Sequence, residues 1–233
     1  MILQFLSTNQ KPITNDNQPS LAGTMKQPTA GIILAAGESL RFGQSKLLAR
    51  FKNKPLIAWV LEAALGSKLQ HIILVLGHQP HCVLQALGRH CKHPRLGITI
   101  NPRYAEGQST SLREGLSAAA PEFDSVMFLL GDQPLVTAGL IDSLLEKFWR
   151  SSKGICVPVC RDRRRNPTLF SSKFYRPILA LQGDVGARKI IESNPAEVLR
   201  VEVDNPLLFI DIDTKADLQR LESQILIPDS PQR

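Results

Sequence analysis

The chain has 233 residues, 43% of them hydrophobic, with 28 Lys and Arg against 21 Asp and Glu for a formal net charge of +7. This length suits one α/β domain of ordinary size or two small ones, and no apolar run approaches the ~18 residues that a membrane helix needs. Such a charge attracts any polyanion, but no basic-aromatic repeat offers a base-stacking surface, which argues against nucleic acid.

Residues 1–28 are rich in Asn, Gln, Pro, Thr and Ser around one apolar patch at 2–6, and they read as a disordered extension. They hold neither a leading basic cluster nor an apolar core of signal-peptide length, so export is not expected and a cytoplasmic protein is. Met25, just ahead of the first strand, is an alternative start. The expected domain spans 29–225, and 226–233, with Pro228 and Pro231, reads as a loose tail.

Within the domain, strand and helix signals alternate. Residues 31–34 are a short apolar run of the kind buried on both faces of a sheet. A helix is predicted over 55–65, with Pro55 at its first position and Gly66 as its stop. Residues 71–76 form a second buried strand ending at Gly77, followed by a helix over 79–87 and a strand over 97–100. The Ser111 and Glu114 spacing predicts a capping box for a helix over 110–120. Residues 125–130 are a fourth buried strand, Thr137 caps a helix reaching Trp149, and 154–159 is the next strand. This order predicts a doubly wound, mostly parallel sheet with helices on both faces, a Rossmann-like α/β fold.

The cysteines Cys82, Cys91, Cys156 and Cys160 make no secreted disulfide framework in a chain this long. His78, His81, Cys82, His90, Cys91 and His93 straddle the predicted 79–87 helix without a Cys-x-x-Cys pair. They read as solvated or half-buried side chains rather than zinc ligands, and Cys156 and Cys160 read as strand packing.

In such a sheet, ligands bind beyond the carboxyl ends of the strands, here Ala36-Gly37, Gly77-His78, Asn101 and Gly131-Asp132. After the first strand, Ala35, Ala36 and Gly37 leave the main chain open to a ligand, and Arg41, Gly43 and Lys46 add two cations and a flexible point, an anion-binding arrangement. It is neither a P-loop, since Gly43 is followed by Gln44 and Ser45, nor a dinucleotide fingerprint, since Gly37-Glu38-Ser39 lacks the second Gly. A carboxylate at Asp132 would be costly to desolvate unless paired or metal-bound, and magnesium with a nucleotide needs only one or two carboxylates.

The stretch from Leu34 to Lys46 resembles the signature of the nucleotidyltransferase superfamily, Leu-Ala-Ala-Gly-x-Ser-x-Arg-x-Gly-x-x-Lys, at every fixed position. Within it the chain is similar to the molybdenum cofactor cytidylyltransferases and their near relatives, in patches over about 29–221. The resemblance implies that Gly131-Asp132-Gln133-Pro134 is a metal-binding segment, with Asp132 as ligand. It also matches Asp211-Ile212-Asp213-Thr214 to a late Asp signature; strand alternation puts Asp211 and Asp213 on one face, and Thr214 with Asp217 has capping-box spacing, which leaves Asp211 the better claim to magnesium. Asn101, Gly107, Ser109 and Ser111 resemble the segment framing base and ribose. Asn166-Pro167 and Gly183, Asp184 and Arg188 resemble segments around the acceptor. Here the chain departs from the pattern: Arg165 stands where the family commonly has Gly, in a loop with Arg161, Arg163 and Arg164.

The expectation is therefore a magnesium-dependent nucleotidyltransferase. Lys46, Arg41 and Asp132 would be its catalytic residues, and Leu34, Ala35, Ala36, Gly37, Gly77, Asn101, Gly107, Ser109, Ser111 and Gly131 its nucleotide site. The resemblance implies CTP and molybdopterin as substrates, Ala35-Ala36 replacing the Ala-Gly-Gly of relatives that use GTP, and a molybdoenzyme as receiver of the product. Two other readings stay open: transfer to another phosphorylated metabolite, and a non-catalytic pterin carrier, which would need none of Asp132, Arg41 and Lys46.

Overall fold

The computed structural model describes residues 28–39, 42, 45–120 and 122–226. The expected extension before Pro28, the tail after 226 and Arg41 lie outside them. The elements in chain order are β1 (Thr29–Ala35), a small hairpin of β2 (Arg50–Phe51) and β3 (Lys54–Pro55), α1 (Leu56–Leu65), β4 (His71–Leu76), α2 (Pro80–Leu87) and β5 (Leu96–Ile100). There follow α3 (Gln108–Ala119), β6 (Ser125–Leu130), α4 (Ala138–Trp149), β7 (Ile155–Cys160), β8 (Arg163–Arg164) and β9 (Thr168–Ser171). The last are α5 (Tyr175–Leu179), α6 (Arg188–Ser193), β10 (Val198–Glu202) and α7 (Lys215–Leu226).

The main sheet has the order β10-β7-β9-β6-β1-β4-β5, with β8 paired to β7. The pairs β1–β4, β1–β6, β4–β5 and β7–β10 are parallel. β9 runs antiparallel to both β6 and β7, so the sheet is mostly parallel, as its apolar runs predict, with one reversed strand inserted. After β1 the chain moves outward through β4 and β5, then returns to the other side of β1 as β6. That reversal opens a crevice at the carboxyl ends of β1 and β6, where Leu34 pairs with Leu130.

Alternation along β1 feeds two cores. Ile33 and Ala35 face α1, α2 and α4, while Ala30 and Ile32 face α3, α5 and α6. Each fully buried Ile or Leu stabilises the fold by about 1.5–3 kcal/mol. α4 forms because its buried residues Leu140, Ile141, Leu144, Leu145 and Phe148 recur at helical spacing and Thr137 Oγ1 accepts from the Leu140 amide at 3.2 Å. α3 lies close on β1 because Gly115 has no side chain: a Cβ there would sit 2.4 Å from Ile32 Cγ2. Ala at 115 would push α3, and the site residues at its start, off the sheet.

Two local expectations change. Pro55 ends β3 and α1 starts at Leu56. α3 starts at Gln108, so Ser111 lies inside the first turn and makes no capping box; its Oγ accepts from Asn101 Nδ2 at 3.0 Å. The α7 box does form, with the Thr214 amide donating to Asp217 Oδ2 at 2.8 Å and the Asp217 amide to Thr214 Oγ1 at 3.2 Å.

A third apolar cluster, Phe42, Ala49, Phe51, Leu56, Ile212 and Leu221, ties α7 and the 209–214 segment to the β2–β3 hairpin. Phe209 closes a short helical turn, and 210–214 form no strand, so the strand alternation expected there is absent. Fully buried Ile212, whose amide donates to the Asp132 carbonyl at 3.1 Å, fixes Asp211 and Asp213 on either side of it. No described helix is long and apolar enough to cross a membrane.

Candidate active site

At the crevice, Gly131 donates its amide to the Leu34 carbonyl at 3.0 Å, and the chain then turns out of β6 into Asp132. Lys46 opens a short helical turn whose next residue, Leu47, is buried against Ile57 and Gly131. The buried Leu47 aims Lys46 at the loop: Nζ donates to Asp132 Oδ2 at 2.6 Å and to Asp213 Oδ1 at 2.7 Å. The Lys46 and Asp132 side chains are 17% and 19% exposed, that of Asp213 51%. Burial works to lower the lysine pKa, but the charges and hydrogen bonds of Asp132 and Asp213 outweigh it and raise the ammonium above its ordinary 10.5.

The other Asp132 oxygen, Oδ1, is buried with no partner. Beside it, Asp211 Oδ1 accepts from Gln133 Nε2 at 2.8 Å. Asp211 is exposed as a residue, yet partial desolvation of its carboxyl first, then the neighbouring Asp132 charge, push that carboxyl above its ordinary range. An orphaned carboxylate oxygen next to a second, crowded carboxylate is a donor set that fits a divalent cation, whose remaining positions phosphate and water would fill. Among the described residues, here or elsewhere, no group of three or more His, Cys, Asp or Glu is arranged to hold a metal. His90 contacts Glu62 and the Leu87 carbonyl instead, and Cys156 and Cys160 are buried in β7.

Around Lys46 the cleft has two lobes. The inner, of about 330 Å³, is lined by Leu34, Ala35, Ala36, Gly37, Lys46, Gly107, Gln108, Ser111, Asp132 and Asp184, among others. The outer, of about 500 Å³, adds Glu38, Ala105, Glu106 and Asp213. Leu34, Gln108 and Leu130 of the inner lobe also line an adjoining third pocket of about 440 Å³, whose apolar lining includes Leu112, Phe128, Val157 and Ile191. Arg163, Arg164, Arg165, Arg188 and Asn166 line that pocket. Arg164 and Arg188 share one carboxylate, Glu192, each at 2.8 Å, while Arg165 Nε is buried without a partner.

The structure thus gathers Leu34, Ala35, Ala36, Gly37, Lys46, Gly107, Ser111 and Asp132 in one cleft, and Asn166 and Arg188 in the adjoining pocket. Others go elsewhere. Asn101 is fully buried, its Nδ2 donating to Thr110 and Ser111 and its Oδ1 accepting from the Arg103 amide, so it braces the turn before α3. Ser109 is fully buried and lines none of the three pockets. Gly77 and Gly131 are packing glycines: a Cβ would meet Tyr104 at 2.6 Å and Ile57 at 3.0 Å respectively. Pro167, in a cis peptide with Asn166, is buried and lines none of the three pockets.

Asp184 is expected at the acceptor but lines the inner and outer lobes. Its Oδ1 accepts from the Gln108 amide at 3.3 Å, and the Gly183 carbonyl accepts from Ser109 at 3.3 Å. The 183–184 turn therefore occupies the α3 N-terminus, which attracts negative charge. Tyr104, Ser39 and Gln108 also line the cleft. Ser39 is a fixed position of the Leu34–Lys46 signature and Tyr104 lies within the 101–111 segment that resembles the base and ribose frame, whereas Gln108 had only its place next to Gly107 to mark it.

The model of the MobA-like NTP transferase domain matches residues 31–198. The chain belongs to this family. It is a nucleotidyltransferase with the α/β fold of its relatives. The Bacillus subtilis protein named Purine catabolism protein PucB is 30% identical over 203 residues, spanning 82% of this chain and 95% of that one. A Thermococcus sibiricus protein named Probable molybdenum cofactor guanylyltransferase is 27% identical over 206 residues, covering 84% and 99%. Among solved structures, a Mycobacterium tuberculosis protein in complex with manganese superposes with a TM-score of 0.70 at 25% identity, over 84% of this chain and 98% of that one.

Proposed function

We propose that this MobA-like transferase moves CMP from CTP to the phosphate of a molybdopterin acceptor and releases pyrophosphate. The observation that carries the reading is Lys46, held between Asp132 and Asp213 in a cleft that shares a wall with an arginine-lined pocket. The triphosphate would lie over Ala35–Gly37 with Lys46 on its phosphates, and the acceptor would enter past Asn166 and Arg188. An acceptor phosphate oxygen forms the new bond to the α-phosphorus while the bond to the bridging oxygen breaks, its electron pair leaving with pyrophosphate. The nucleophile is already ionised, so the protein supplies position and charge rather than a base. A divalent cation, magnesium in the cell, would be held by Asp132 and Asp211 and would neutralise phosphate charge.

Ala36, which lines the inner lobe, carries a methyl group where relatives that use GTP have Gly, and the narrower wall favours the smaller pyrimidine base. GTP is the second reading, supported by the relative named as a guanylyltransferase. Affinities for CTP and GTP measured with magnesium, followed by pyrophosphate release with molybdopterin, separate them. We expect CTP to bind at least about tenfold tighter, 1.4 kcal/mol. Equal affinities remove the cytidylyl reading, and release with another phosphorylated metabolite but not with molybdopterin removes the acceptor.

A further inference from the structure

Gln133 has no part in the mechanism above. It follows Asp132 directly, is 3% exposed, and its Nε2 reaches 78 residues along the chain to Asp211 Oδ1 at 2.8 Å. The bond sets the amide's orientation, because the reverse flip would turn an oxygen toward the carboxylate. Gln133 Oε1 is then left buried with no partner, as is Oδ1 of the preceding Asp132. A half-satisfied buried amide carries a desolvation cost that an apolar side chain of the same length avoids. That cost offsets what the bond to the Asp211 carboxylate contributes, so stability of the fold gives little reason for Gln at this position.

The backbone here is already anchored. Ile212 is fully buried in the third cluster and its amide bonds the Asp132 carbonyl, so the segment stays in place without Gln133. What remains free is the direction of the Asp211 carboxylate, and the only side chain bonded to it among the described residues is Gln133.

We propose that Gln133 is a positioning residue that holds the Asp211 carboxylate beside Asp132 to receive the divalent cation; the inference rests on the metal reading of those two aspartates. Groups behind a metal ligand fix its orientation, and their loss typically weakens metal binding by about 10–100-fold.

The experiment measures Mn2+ binding to the full chain by calorimetry, with metal-free Tm alongside, for wild type, Gln133→Met, Asp211→Ala and the double variant. The expected Gln133→Met protein binds Mn2+ about 10–100-fold more weakly, with a metal-free Tm equal to or above wild type. Because Gln133 acts through Asp211, adding Gln133→Met to Asp211→Ala should change the affinity by no more than about twofold. Unchanged Mn2+ affinity in Gln133→Met, a fully additive loss in the double variant, or a lower Tm or loss of fold overturns the inference. A wild type that binds no Mn2+ overturns the metal reading itself, and this inference with it.

Discussion

Replacing Lys46 by Met tests the centre of the site, because its ammonium is the cation that two carboxylates share. Removing one member of a fully buried pair costs about 3–5 kcal/mol, and an exposed pair is worth about 0–1 kcal/mol. At 17% and 19% exposure the Lys46–Asp132 pair lies between these limits, while Asp213, 51% exposed, adds little. We expect a loss of about 2 kcal/mol, or roughly 4–8 °C in Tm for a chain of this size. The substitution also leaves Asp132, Asp211 and Asp213 facing one another without Lys46. A divalent cation at about 100 times its Kd returns about 2.7 kcal/mol, so Mn2+ should restore most of the lost Tm in Lys46→Met. Turnover should stay low, by about 10² or more, since the cation does not replace the ammonium on the phosphates. Scanning fluorimetry with and without Mn2+, paired with pyrophosphate release, reads both effects. A Lys46→Met protein as stable as wild type without metal, or one that keeps its turnover, would refute the reasoning.

The same ammonium sets a pH dependence. Its folded pKa is raised above 10.5, so the stability it contributes is fully present below pH 10.5 and lost as pH climbs through the raised value. The difference in unfolding free energy between wild type and Lys46→Met should hold steady from pH 7 to about 10 and shrink above; a difference that grows with pH contradicts the pairing. Asp132→Asn should keep the circular dichroism of the fold and remove nearly all pyrophosphate release, and near-normal release would sink the assignment of Asp132. Gly107 has φ +112, and a Cβ there would lie 2.5 Å from Asp184 N and Gly183 C. Gly107→Ala should cost on the order of 2–4 kcal/mol in urea unfolding and raise the KM for nucleotide by displacing Asp184 from the cleft. A loss below about 1 kcal/mol would show that the turn yields freely.

Much of the architecture was readable along the chain because it is written in short-range pattern. The apolar runs at 71–76 and 125–130 coincide with β4 and β6, and Thr137 caps α4 as its position predicts. Small residues after β1 and an acid after β6 also mark the crevice, since turn chemistry is local. Packing alone determined which polar groups meet. Lys46 finds Asp132 86 residues on and Asp213 167 residues on, joined by the burial of Leu47 and Ile212 rather than by any spacing. The same holds where placement differs from the expectation. Asn101 and Ser109 look like ligand groups in one dimension, but the turn before α3 and the helix's own first turn bury them. Asp184, expected at the acceptor, lines the lobes around Lys46 because Gly107, with no side chain, lets the 183–184 turn press onto the start of α3. A backbone period is set by neighbours a few residues away, whereas the partner of a buried charge is whatever the closed core brings within 3 Å.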